Sequence, residues 1–156
     1  MTMFDKLATF CTATSVAASA GTALIGSQID LSTLTSRPGA GQPVYLVILP
    51  TTEIITGGNA GTIRFELASD ATASVATDAT ATVICSSPTY VTDGTDANSA
   101  QLKVGNVILC QPIDVRTSER FLAIRCVTVT TTTTAGAITA FLTLNPAAYL
   151  AYPNAI

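Results

Sequence analysis

The apolar residues of this chain are mostly Val, Ile, Leu, Ala and Phe, and many of them alternate with threonine along short runs. Residues 62–67 show the pattern most clearly, with Ile63, Phe65 and Leu67 on one face and polar side chains, Glu66 among them, on the other. Alternation with a period of two is typical of a β-strand with one buried and one solvent-exposed face. Patterns with helical spacing are almost absent, so the sequence predicts an all-β protein.

Seven further segments carry strand signals, which brings the predicted total to about eight strands. They lie within residues 4–15, 29–34, 44–49, 82–86, 107–111, 120–130 and 137–144. Eight short strands in a chain of 156 residues are typical of an antiparallel two-sheet sandwich of jelly-roll type. We therefore predict a single jelly-roll domain over residues 1–156.

Three finer predictions concern strand boundaries and pairing. Residues 44–49 are continuously apolar, which predicts a central strand covered on both faces, with Pro50 interrupting its continuation. Pro112 is expected to end the pairing of the strand at 107–111. Residues 120–130 and 137–144, joined by a threonine-rich tip, are expected to form a hairpin.

The small number of charges limits the classes of function that remain. Charged residues make up 11% of the chain, against about 25% in typical soluble proteins, so the surface must consist largely of Thr, Ser, Ala and Gly. Such a surface loses little hydration energy on docking, which favours a subunit of an assembly. Seven scattered basic residues argue against direct nucleic-acid binding, and the apolar runs are too short for a membrane-spanning helix.

A long stretch near the start of the chain and the whole of its C-terminal part lack charge and carry apolar side chains. Residues 7–29 and the stretch from Cys126 to Ile156 contain no Asp, Glu, Lys or Arg. We predict uncharged terminal arms that either pack on their own sandwich or dock on a neighbour. The candidate interface residues of these arms are Met1, Met3, Phe4, Tyr149, Tyr152 and Ile156.

A cluster of charges that alternate in sign is the other candidate interface. It consists of Asp114, Arg116, Glu119 and Arg120. The cluster fits either a solvated bend or salt bridges across a subunit contact.

Signals for enzyme chemistry are weak. The chain has no histidine, which removes the commonest general base and metal ligand. Asp93 and Asp96 could form a carboxylate pair or a cation loop, but they lie in a turn-rich segment where such residues usually bind backbone N–H groups. The four cysteines have no metal-ligand spacing and are expected to be buried thiols, although a disulfide between strands stays possible. We predict no enzyme activity, no cofactor and no metal.

Several pieces of the sequence, in order along most of the chain, together resemble one family. They are Phe4-Asp5-Lys6, Ile29-Asp30-Leu31, residues 41–47, residues 61–67, Arg120-Phe121-Leu122 and residues 135–143. In this order they resemble the capsid cement, or decoration, proteins of tailed bacteriophages, typified by the cement protein of a Bordetella phage. The sparse charge between strands and the four cysteines depart from the family pattern.

The resemblance implies a jelly roll bound to the outside of an icosahedral phage head. The partner would be a major capsid protein of HK97-like fold, at junctions between its subunits. The resemblance also implies self-association, as a dimer more than a trimer, and a protein made in the host cytoplasm and carried on the virion. The alternative is a carbohydrate-binding or adhesin β-sandwich, for which Tyr45 and Tyr90 are the candidate stacking platforms.

Overall fold

The computed structural model describes residues 8–34, 43–57, 61–93, 99–116 and 118–149. These ranges contain nine strands: β1 (Thr9–Ser15), β2 (Gly21–Asp30), β3 (Val44–Thr56), β4 (Gly61–Asp70), β5 (Thr82–Ser86), β6 (Tyr90–Thr92), β7 (Leu109–Ile113), β8 (Phe121–Val129) and β9 (Thr133–Thr143). Short 3-10 helices lie at Leu31–Thr33, Ala100–Leu102 and Pro146–Tyr149. The all-β prediction is confirmed.

The strands form two antiparallel sheets with jelly-roll topology. Sheet A has the order β1-β9-β3-β7, and sheet B has the order β2-β8-β4-β5, with β6 also paired to β4. Strands β5 and β6 pair with different parts of β4 and share one position in the sheet. Eight strand positions arranged in this order are those of two interlocked Greek keys, so the predicted jelly-roll sandwich is confirmed.

The core lies between the two sheets and is built from every second residue of each strand. In β3 and β4 these inward residues include Leu46, Ile48, Ile63, Phe65 and Leu67, all fully buried. The alternation read from residues 62–67 therefore assigned the core face of β4 correctly. Burial of aliphatic and aromatic side chains on this scale is the main stabilising contribution in a sandwich of this kind.

The predicted hairpin at the C-terminal end is wrong. Strand β8 pairs with β2 and β4 in sheet B, whereas β9 pairs with β1 and β3 in sheet A. The two runs face each other across the core, because both present an apolar inner face that includes Ile124 and Ile138. An alternating pattern does not distinguish strands that pair from strands that stack. The threonine-rich connection is exposed at Thr130, Thr132 and Thr134, and it is attached to the chain at Thr133, which exchanges backbone hydrogen bonds of 3.1 and 2.9 Å with Ala18.

Both prolines that were expected to interrupt strands lie inside them. Pro50 lies within β3 opposite Ile138, and Pro112 lies within the edge strand β7 opposite Tyr45. The carbonyl of Ile48 accepts a hydrogen bond from the N–H of Ile108, so the backbone groups of residue 48 point towards β7. The backbone groups of residue 50 point to the same side, but β7 does not extend that far. The missing N–H of each proline therefore costs no hydrogen bond of the ladder.

Strand β2 is longer and begins earlier than predicted. The alternation at residues 29–34 marks only its last two residues, after which the chain turns into the 3-10 helix at Leu31–Thr33. The first half of β2, with Thr22, Ala23 and Leu24, has no alternating pattern because its side chains are all half-buried.

Candidate interaction surfaces

The predicted charge cluster lies at one end of the sandwich, and the structure divides it. Arg116 forms a bidentate ion pair with Asp114, with Nε–Oδ1 and Nη2–Oδ2 distances of 2.9 and 2.7 Å. Hydrogen bonds from this guanidinium, and then from the Arg116 backbone N–H, lower the pKa of Asp114 to about 2. Both side chains are exposed, and Glu119 beside them is exposed as well. These three side chains are exposed to solvent in the isolated chain, and their part in a subunit contact stays a prediction.

Arg120 makes its ion pair with a residue that the sequence analysis did not select. Its Nε and Nη2 donate to the two carboxylate oxygens of Asp30 at 3.0 and 2.8 Å, and its guanidinium carbon lies 4.8 Å from the centre of the Phe121 ring. Asp30 also accepts from the backbone N–H and the hydroxyl of Ser32. These bonds, led by that from Arg120, hold the pKa of Asp30 well below its usual range. The spacing of Asp30 and Ser32 is typical of an Asx turn, and this was the sequence signal that could have singled out Asp30.

A buried ion pair on the outer face of sheet B is the second feature that sequence reasoning missed. Arg125 on β8 donates through Nη2 to Glu66 on β4 at 2.6 Å, and the two side chains are 7% and 4% exposed. Arg64 donates to the other oxygen of Glu66 at 2.8 Å. Burial alone would raise the pKa of Glu66, but the hydrogen bonds from Arg125 and Arg64 outweigh it and lower the pKa. The predicted solvent-exposed face of β4 is therefore wrong at Glu66.

Residues 71–81, which we term the cap loop, cover this ion pair. The Nη1 group of Arg125 donates to the carbonyls of Ala76 and Asp78 at 3.1 and 2.9 Å. The N–H of Val75 donates to Gln28 Oε1 at 3.0 Å, and the Val75 side chain is buried in a small apolar cluster with Ala123. The cap loop is thus attached to the sheet at several points.

The C-terminal aromatic residues fall partly within the described chain. The ring of Tyr149 packs edge-on against Phe141 on the outer face of sheet A, with ring centroids 4.8 Å apart. Tyr149 therefore packs on its own sandwich, which is one of the two alternatives left open by the sequence. The predicted interface residues Met1, Met3, Phe4, Tyr152 and Ile156 lie outside the described residues.

The described ranges contain few side chains that could act in catalysis or bind a metal. All four cysteines are free thiols; Cys11, Cys85 and Cys126 are buried, and burial raises the pKa of the latter two to about 11. No group of three or more Cys, Asp or Glu residues comes together as a metal site within the described ranges. Asp96 lies outside them, so the proposed pair with Asp93 stays a prediction.

The structure also bears on the carbohydrate alternative. Tyr90 is buried, and its hydroxyl donates to the Ile108 carbonyl at 2.7 Å, so its ring offers no stacking platform. A groove of about 540 Å³ lies between β1 and β2, and its lining includes Phe10, Gln28 and Asp30 but no Tyr or Trp. The predicted role of Tyr90 in sugar stacking is therefore wrong.

Comparison with known proteins identifies the family. A family model described as Bbp16 matches residues 10–142, from the second residue of β1 to the penultimate residue of β9. The chain belongs to the Bbp16 family. Bbp16 is a Bordetella phage protein, so the family resemblance read from the sequence is confirmed and the chain is a phage structural protein. A search of curated proteins finds no match.

The Bbp16 match includes all nine strands except the first residue of β1 and the last residue of β9, so the residues that show the family are those that form the sandwich. Within the ranges that the structure describes, no helix is long and apolar enough to cross a membrane.

Proposed function

We propose that this Bbp16-family chain is a capsid cement protein, which binds the outer surface of a tailed-phage head and stabilises contacts between major capsid subunits of HK97-like fold. The observation that carries the proposal is the family match over the entire sandwich. The role is mechanical, without enzyme activity, cofactor, or direct contact with nucleic acid or membrane.

The character of the surface supports this proposal. The chain is only 11% charged, and Arg116, Arg120 and Arg125 form ion pairs with carboxylates of the same chain. Docking such a surface removes few unpaired charges from water, which keeps the desolvation cost low. A contact of roughly 1,600 Å² is enough for stable docking, and repetition of the contact over a closed shell multiplies its strength.

We further propose that the protein self-associates as a dimer, in accordance with the family resemblance. A dimer presents two docking surfaces, so it would join neighbouring shell subunits and not merely coat them. The protein would be made in the host cytoplasm and be carried on the exterior of the head.

The proposal is tested with heads from a phage whose gene for this chain is deleted. Purified chain is added to these heads, which are then sedimented, and bound protein is measured by gel densitometry. We expect saturable binding and retention of packaged DNA to a higher temperature than in undecorated heads. Absence of binding, or binding without any gain in heat resistance, would contradict the proposal.

A further inference from the structure

The edges of the two sheets differ in how well they are protected against pairing with another strand. A sheet edge exposes backbone N–H and C=O groups, and proteins usually block it with proline, bulges, charge or very short strands. The four edge positions are β1 and β7 in sheet A, and β2 and β5 with β6 in sheet B.

Three of these positions are blocked. The pairing of β1 with β9 is shifted by irregularities on both sides of Cys11, and Ala13 has a positive φ of 45°. Strand β7 contains Pro112, which has no N–H to offer on its outer side. The register of β5 shifts in the middle of the strand, and β6 has only three residues.

The remaining edge, residues 21–25 of β2, has none of these protections. Its five residues pair with β8 in a continuous register, from Gly21 opposite Thr128 to Ile25 opposite Ile124. The segment contains no proline and no charge, and no described strand pairs with its outer side. The protection begins only at Gly26, which lies against the Phe10 carbonyl of β1.

The residues that present their backbone to this free side can be identified from the hydrogen bond that joins the end of β2 to the start of β8. The N–H of Leu31 donates to the Arg120 carbonyl at 2.9 Å, so residues 120, 122, 124 and 126 of the chain point their backbone groups towards β2. The partners of 124 and 126 are Ile25 and Ala23, which therefore point towards β8. The alternate residues, Thr22 and Leu24, direct their N–H and C=O groups outward.

We propose that residues 21–25 of β2 form a docking edge to which an extended, uncharged segment of a major capsid subunit adds as a further strand of sheet B. Only an extended backbone can satisfy N–H and C=O groups that alternate in this way. The surroundings fit an uncharged segment, because residues 7–29 carry no charge and the Arg125 side chain beside Leu24 is buried and paired with Glu66. The proposal rests on the cement function proposed above.

The test compares two proline variants on the two edges of sheet B. Thr22→Pro removes an outward N–H from the docking edge without removing a hydrogen bond to β8. Val83→Pro is the matched control. Val83 is an exposed residue of the β5 edge, and in its pairing with Ala68 its backbone N–H and C=O groups also point outward. Binding to heads that lack the protein is measured by sedimentation, and the fold of each variant by its thermal unfolding midpoint.

We expect Thr22→Pro to bind heads at least about tenfold more weakly than the unaltered chain, while Val83→Pro binds normally. If Thr22→Pro does not fold, Thr22→Lys replaces it, because a charge on an edge also opposes strand addition. Normal head binding by a folded Thr22 variant overturns the docking edge but leaves the cement function intact. Failure of the unaltered chain to bind heads overturns both.

A second copy of this chain is the other protein that could occupy the edge. Analytical ultracentrifugation of the free variants decides this point. A Thr22→Pro variant that loses self-association yet retains head binding overturns the proposal and assigns the edge to a contact between copies.

Discussion

At the scale of single residues, Arg125 determines the structure of the outer face of sheet B. Its guanidinium joins Glu66 of β4 to the carbonyls of Ala76 and Asp78 in the cap loop. Forming a buried ion pair costs desolvation energy, but removing one partner is worse, because it leaves an uncompensated charge in the interior. Arg125 is therefore a positioning residue for the cap loop.

We predict that Arg125→Ala lowers the free energy of unfolding by about 3–5 kcal/mol, because Glu66 and two loop carbonyls lose their donor. Arg116→Ala is the matched control; it removes an equally close ion pair that is exposed, and should cost less than about 1 kcal/mol. Urea denaturation of both variants provides the measurement. Equal costs for the two substitutions would show that the buried pair has no special role.

The carboxylates predict how stability depends on pH. Hydrogen bonds lower the pKa of Glu66, Asp70 and Asp114 in the folded state, with Asp114 at about 2. In the acid range the unfolded chain binds more protons than the folded one, so stability is fully present above about pH 5 and is lost progressively towards about pH 2. The chain has no histidine, so we expect almost constant stability from pH 6 to 8.

Denaturation midpoints measured from pH 2 to pH 8 test this prediction. Glu66→Gln should show a smaller loss between pH 5 and pH 2 than the unaltered chain. A midpoint that rises as the pH falls through this window would contradict the assignment.

At the scale of elements, the contact between β1 and β2 joins the two sheets along one side. It depends on Gly26, whose φ is +76° and where a Cβ atom would lie 2.3 Å from the Phe10 carbonyl oxygen. Both the backbone conformation and the close approach exclude a side chain at this position. The groove between the two strands begins here.

We predict that Gly26→Ala destabilises the protein by about 2–4 kcal/mol, the sum of a backbone penalty and a steric clash. Gly105→Ala separates the two effects, since Gly105 has a φ of +91° but open space where the Cβ would lie. It should cost only about 1–2 kcal/mol. Thermal or urea unfolding measures both, and a Gly105→Ala cost as large as that of Gly26→Ala would refute the close contact.

At the scale of the whole molecule, the charges are unevenly distributed. Asp30, Asp70, Asp114, Arg116 and Arg120 gather at the end of the sandwich where β2, β4 and β7 finish and β8 begins. The residues that follow β1 and β8 at the opposite end are uncharged: Val, Ala and Ser after β1, and Thr after β8. A partner at the charged cluster would therefore need complementary charges, whereas a partner at the docking edge would need an uncharged, extended segment.

We predict that head binding changes less than about twofold between 50 and 500 mM NaCl, because strand addition at an uncharged edge involves no ionic contact. Intermolecular salt bridges through Asp114, Arg116, Glu119 and Arg120, the other interface predicted from the sequence, would make binding fall steeply with salt. The control is Glu119→Gln, which should bind like the unaltered chain if the cluster lies outside the contact. Strong salt dependence would assign the interface to the cluster.

The sequence by itself determined the strand character, the core face of β4, the jelly-roll class and the family. These features can be predicted from local alternation, from composition and from the order of short segments. None of them depends on knowing which residues are in contact in the folded protein. The sparse charge and the missing histidine are likewise properties of composition. The first half of β2 was not predicted as a strand, because half-buried residues produce no alternating pattern.

Only the tertiary structure decided which strands pair and which charges meet. Arg125 and Glu66 are 59 residues apart, and Arg120 and Asp30 are 90 apart, so no local pattern joins them. The same limit explains the wrong hairpin between β8 and β9, and the two prolines that were expected to break strands. Whether a proline breaks a ladder depends on whether its missing N–H would face a neighbouring strand. Whether an edge is open depends on which strands lie beside it, and both are properties of the assembled sheet.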